Sequence, residues 1–189
     1  LSQQPFVSSK STVGGYASMS KNEAMHIRQI IAADNEKTRT IMWQSEAAEN
    51  GAFVEYRVKG KEQISSAPAT NEPFTDDKIT TYLHTVTLSN LTPDTKYEYR
   101  VGYGDKRSEW QDFATAGQGS FKAIIFPDSQ SNDYRGWEKL AQAAGKANQD
   151  AAFFVNMGDL VDNGEDHTQW RAWFDSLRGI IDKIPVAPL

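Results

Sequence analysis

Hydrophobic and polar positions along this chain follow two different rhythms. Through residues 23–116, short runs rich in β-branched and aromatic residues recur between turn-forming clusters: Met25–Ile31, Arg39–Gln44, Ala52–Lys59, Thr81–Leu88, Lys96–Tyr103 and Glu109–Ala114. Within them Phe53, Glu55 and Arg57 alternate with Val54, Tyr56 and Val58, and Tyr97, Tyr99 and Val101 alternate with Glu98 and Arg100. A period of two predicts strands with one face buried and the other wet. Asp34-Asn35-Glu36-Lys37, Glu49-Asn50-Gly51 and Gly104-Asp105-Lys106 supply the residues that tight turns prefer. Short strands at this spacing predict an all-β sandwich.

The second rhythm begins after Ala114-Thr115-Ala116-Gly117-Gln118-Gly119-Ser120, a small, unpatterned stretch that places a domain boundary at residue 117. Phe121–Phe126 is a nearly continuous apolar run, Arg135–Asn148 has helical spacing through Trp137, Leu140, Ala141 and Ala144, and Ala151–Met157 is apolar again. Strand, helix, strand is the expectation. From Asp166 to Asp182, Trp170, Trp173, Phe174, Leu177 and Ile181 recur at helical intervals, and Ile184–Leu189 starts a third strand. Residues 117–189 therefore predict a partial α/β unit (βαβα) too small to cover both faces of its own sheet. Residues 1–22, rich in Ser, Gly and Gln without apolar period, predict a flexible lead-in.

Composition narrows the function classes only modestly. A formal net charge of −5 over 189 residues, with no basic stripe, argues against a specific nucleic-acid partner. No window approaches the apolar length of a membrane-spanning helix, so no membrane insertion is expected. The absence of cysteine removes disulfides, thiolate metal sites and cysteine nucleophiles together.

The candidate chemistry sits at the ends of the two α/β strands. Asp128 follows the first in Phe126-Pro127-Asp128-Ser129-Gln130, and Asp159 follows the second in Met157-Gly158-Asp159-Leu160-Val161-Asp162-Asn163-Gly164. A right-handed crossover would lay the strands parallel and bring both carboxylates to one sheet edge, where open α/β sheets bind ligands. Two such carboxylates repel unless a cation lies between them, and hard divalent or trivalent ions favour oxygen donors. For either aspartate alone, a turn or helix-cap role is the simpler reading. The pair at matched positions proposes a metal site. Gly158 would let the backbone turn sharply ahead of Asp159. His26, His84 and His167 are expected to be structural or exposed, and Trp110, Trp137, Trp170 and Trp173 mostly core.

Leu91-Thr92-Pro93-Asp94-Thr95-Lys96-Tyr97 resembles the fibronectin type III signature L-x-P-x-T-x-Y, which makes Tyr97 a corner tyrosine and Trp43 the core indole of that fold. With the aspartate pair behind it, the chain resembles the calcineurin-like metallophosphoesterases, particularly the purple acid phosphatase branch, where a fibronectin-like domain precedes a two-metal catalytic domain. The resemblance implies a fibronectin type III-like sandwich over 23–116 and the opening part of a metallophosphoesterase domain over 117–189. It implies two divalent or trivalent metal ions (Fe, Mn, Zn or Mg), with Asp128 on one metal and Asp159 bridging both. Gln130 stands where the family usually has His or Gly, which implies an amide ligand or a group supporting the ligands. Asp162 stands where purple enzymes carry their iron-binding Tyr, so the coloured site is not expected. The Gly-Asn-His block and later histidine blocks are absent from this sequence, so this stretch alone is expected to bind metal weakly and turn over little. A small phosphoester substrate and an extracellular or cell-envelope location are further implications. Two other readings stay open: a surface or secreted binding module, and a phosphoesterase scaffold that has lost its metals.

Overall fold

The structure, a computed structural model, describes residues 17–20 and 23–188. The strands are β1 (Ala17–Ser18), β2 (Met25–Ile30), β3 (Arg39–Ser45), β4 (Phe53–Val58), β5 (Ser65–Pro68), β6 (Thr70–Asp76), β7 (Ile79–Leu88), β8 (Lys96–Tyr103), β9 (Lys106–Arg107) and β10 (Gln111–Ala114). Then follow β11 (Ala123–Phe126), helix α1 (Arg135–Ala147), β12 (Phe153–Asn156), helix α2 (His167–Ser176) and β13 (Pro185–Pro188). The chain is mostly β-sandwich, and the alternating runs of the sequence are its central strands.

One sheet runs β1-β9-β8-β4-β5, with β10 also on β8, and the other runs β11-β12-β13-β2-β3-β7-β6. Trp43, Ile41, Val54, Val86, Tyr97, Tyr99, Val101 and Phe113 fill the space between them. Tyr97 does what the signature requires: its hydroxyl accepts from the Thr92 N–H at 2.9 Å while its ring stacks on Phe113.

Three features depart from the sequence pattern. β5 and β6, built mostly from Ser, Thr, Pro, Asn, Glu and Asp, have too little apolar character to announce themselves, and are strands because β4 and β7 offer them hydrogen-bonding edges. The outward face of β4 and β8, expected wet, is a stack of side chains instead. Arg107 lies 4.3 Å over Phe53, Arg57 and Arg100 each lie 4.4 Å from the Trp110 ring, and Glu55 binds Arg100 at 2.7 Å and Arg107 at 3.0 Å. Trp110 is therefore half-buried between guanidinium groups rather than in the core. A Cβ at Gly102 would meet the Phe53 ring at 2.6 Å, so the stack needs glycine there.

The sheet also crosses the compositional break at residue 117. β11, β12 and β13 are mutually parallel, and β13 pairs in parallel with β2 through Pro185↔Gln29 and Val186↔Ile30. Helices α1 and α2 share one core with Ile124, Phe126, Phe154 and Val186 on one face of these strands. The opposite face leaves Phe121 71% and Ile125 60% exposed, so the Phe121–Phe126 run is covered on one side, as a unit too small to cover both faces of its sheet would leave it. Leu140, expected on the buried stripe of α1, faces out instead at 56% exposed, while Trp137 and Ala141 are buried and Ala144 packs against the core.

Candidate metal centre

Both aspartates leave the carboxyl ends of paired parallel strands. Asp128 follows β11 by two residues and Asp159 follows β12 by three. Because Phe126 aligns with Asn156, the two loops start level and reach the same edge. They are then cross-bonded. The N–H groups of Ser129 and Gln130 donate to the carbonyl of Asp159 at 3.2 and 2.7 Å. Gly158 adopts φ +146°, a conformation open to glycine, and a Cβ there would stand 4.0 Å from Asp128 Oδ1. That contact is an ordinary one, so backbone conformation rather than crowding calls for glycine. Asp159 itself sits at φ +35°.

Asp128, Gln130 and Asp159 are all exposed. Gln130 Nε2 donates to Asp159 Oδ2 at 3.2 Å, so its amide lies against one of the candidate ligands as a donor. The pair of carboxylates suits one side of a hard-cation site. Among the described residues no three His, Asp or Glu side chains converge closely enough to hold a metal ion. Asp162 is exposed, and its backbone N–H donates to Gln169 Oε1 at 2.9 Å.

The histidines are engaged elsewhere. His26 stacks on Phe174 at 4.6 Å and meets Gln44 Oε1 at 2.6 Å, and burial lowers its pKa. His84 is fully buried against Trp43 and bonded to Ser45 Oγ at 2.7 Å, and burial likewise lowers its pKa. His167, at the start of α2, meets Asp76 Oδ2 at 3.3 Å, where the β6–β7 hairpin reaches the helix.

Behind the two loops lies a buried group that sequence reading does not single out. Asn156 and Ser129 are 0% and 4% exposed, and Trp173 is 2% exposed. Ser129 Oγ lies 2.8 Å from Asn156 Oδ1, Trp173 Nε1 donates towards both at 3.0 and 3.2 Å, and Asn156 Nδ2 donates to the Pro127 carbonyl. Asn156 sits inside an apolar run, and the one hint is that a polar residue there needs partners.

Residues 25–115 match the family model described as the purple acid phosphatase N-terminal domain. No curated protein matches the sequence. The fold is shared with a purple acid phosphatase from yellow lupin (Lupinus luteus) seeds, at TM-score 0.75 and 21% identity over 88% of this chain and 35% of that one. It is shared more loosely with PhoD, at TM-score 0.58 and 10% identity over 92% of this chain and 40% of that one. The chain thus spans well under half the length of either structure. Over residues 25–115 the chain is thus similar to the purple acid phosphatase N-terminal domain, within a fold that runs on past them as it does in the lupin phosphatase.

Proposed function

We propose that this chain is the N-terminal part of a metal-dependent phosphoesterase that hydrolyses a small phosphomonoester or phosphodiester. The observation that carries the reading is the aspartate pair: Asp128 and Asp159 leave adjacent parallel strands at one edge, on loops tied together through the Asp159 carbonyl. Residues 117–188 form the opening βαβαβ of the catalytic domain in this reading. Asp128 would hold one metal ion and Asp159 would lie between two, with Gln130 turning its amide oxygen inward as a weaker donor. Ions held there would supply Lewis-acid activation of a water nucleophile and of the phosphoryl group. The chain's own part is to fix two carboxylates at one edge and to keep the histidines of the sandwich out of the chemistry. Further donors come from segments beyond this sequence, and the 189 residues alone turn over little or nothing. Export to the cell envelope or medium belongs to the same proposal and rests on the family; no helix among the described residues is long and apolar enough to cross a membrane.

The test is elemental analysis and hydrolysis of p-nitrophenyl phosphate and its bis-ester by the longer protein, beside Asp159→Asn. Two metals per chain, with activity lost in the variant, are expected. Metal-free, inactive protein after reconstitution with Mn, Fe or Zn would sink the enzyme reading. That result would favour a binding module on a phosphoesterase-like scaffold.

A further inference from the structure

We infer that Ser129, Asn156 and Trp173 form a positioning clamp that sets the separation and aim of Asp128 and Asp159, an inference that rests on the phosphoesterase reading. The bonds that tie the clamp to the two loops end beside one of the two acids. Pro127, whose carbonyl takes the Asn156 amide, precedes Asp128, and Ser129 follows it. Ser129 Oγ also lies 3.1 Å from the carbonyl of Leu160, the residue after Asp159. The Ser129 and Gln130 N–H groups close the frame on Asp159's own carbonyl. The carboxylates of Asp128 and Asp159 take no part in it, which leaves them available at the exposed edge.

The chemistry of position 156 is specific. An amide can accept from the Ser129 hydroxyl and the Trp173 indole while donating to Pro127; a carboxylate lacks the donor and an aliphatic side chain lacks both. A buried amide costs desolvation that only such bonds offset. Asn156 closes a strand beside the apolar Phe154 and Phe126, where a leucine would pack without that cost. Trp173 comes from α2, so the helix and both loops move as one body. Groups of this kind behind metal ligands are typically worth about 10–100-fold in metal affinity.

The experiment uses the 189-residue chain with Trp173→Phe, Ser129→Ala and Ser129→Thr. Amide hydrogen exchange at Gln130, whose N–H donates to Asp159, reads the clamp without metal, and Mn²⁺ titration followed by paramagnetic broadening at Asp128 and Asp159 reads its consequence. Trp173→Phe and Ser129→Ala are expected to speed Gln130 exchange about 10-fold, with Phe154 exchange unchanged, and to weaken Mn²⁺ binding by about 10-fold or more. Ser129→Thr, which keeps the hydroxyl, is expected to restore both. Unchanged Gln130 exchange in Trp173→Phe and Ser129→Ala would overturn the clamp. If Trp173→Phe unfolds, the two Ser129 variants decide. Should the unaltered chain show no broadening at either aspartate, these two carboxylates alone do not hold the ion, and Gln130 exchange still decides the clamp.

Discussion

Tyr97 shows how much a single side chain fixes in this sandwich. Its ring stacks on Phe113 and its hydroxyl accepts from Thr92, pinning the crossing that leads into β8. Tyr97→Phe keeps the ring and strands the Thr92 N–H, so unfolding in urea should show a loss of about 1–2 kcal/mol with an unchanged slope. Glu49 is a second such residue. The residue is 7% exposed, Oε2 has no hydrogen-bond partner among the described residues, and His84 Nε2 lies 3.8 Å away. Burial, reinforced by Glu23, pushes its pKa up to about 7. The folded state therefore holds a proton between the ordinary carboxyl value and about 7 where the unfolded chain does not. That stabilisation is present at low pH and is lost as pH rises through the window. Compared with Glu49→Gln, the unaltered protein should lose on the order of 2 kcal/mol between about pH 5 and about pH 8. Equal pH profiles in denaturant titrations would count against a buried protonated Glu49. At this scale the sequence was legible where a motif ties a residue to a local geometry, as with Tyr97. It was not legible for Asn156, whose partners Pro127, Ser129 and Trp173 are brought to it only by the crossovers.

Elements differ in how plainly they can be read. β4 and β8 announce themselves because one side of each meets the core. β5 and β6 do not, since an edge strand's pairing is supplied by its neighbour and leaves little trace in composition. α2 is shorter than its apolar period, His167–Ser176 against an expected end at Asp182. The Asp166 carboxylate caps its start by accepting from Thr168 N at 2.8 Å, and beyond Leu177 the chain turns through Gly179 at φ +83° while keeping Ile180 and Ile181 buried. The periodicity recorded burial and not helix. The loop after β12 carries its own prediction. Gly158→Ala places a side chain at φ +146° without a steric clash, so melting should reveal a loss of about 1–3 kcal/mol from backbone strain alone. A variant as stable as the parent would show that the loop relaxes freely.

At the scale of the molecule, sandwich and α/β segment are joined by more than a linker. Gln29, fully buried, donates to the carbonyls of Asp112 and Asp182 at 3.1 and 2.8 Å and accepts from Arg39 at 3.2 Å. Tyr99, from the middle of the sandwich core, donates to the same Asp182 carbonyl at 2.6 Å. Burial holds Asp182 above the usual carboxylate range and lowers Arg39 to about 10. With a shared sheet and this shared polar group, the two parts should unfold together. Near-ultraviolet circular dichroism, hydrogen exchange and calorimetry are expected to give one coincident transition. Gln29→Leu, which removes the amide donors to Asp112 and Asp182 and the acceptor for Arg39, should cost about 2–4 kcal/mol and separate the transitions. A single sharp transition in that variant would locate the coupling in the sheet instead. The two rhythms of the sequence suggested a boundary and gave no sign of this joint, because hydropathy records that Gln29 is polar but not which carbonyls it will meet.

The pairing of β13 with β2 also sets an order of events during synthesis. β2 leaves the ribosome among the first strands, and β3 can close one of its edges within moments, but the other edge waits for Pro185–Val186, nearly the whole chain later. Contacts so distant in sequence form slowly, and an open strand edge invites pairing with other chains meanwhile. β2 carries its own protection: its ladder with β3 shifts register between Met25 and Arg28, His26 turns to φ +53°, and the waiting edge presents Arg28 and Gln29 rather than a flat apolar ribbon. A nascent chain stalled before β13 would keep that edge open, so a strand made long afterwards decides whether β2 is safe.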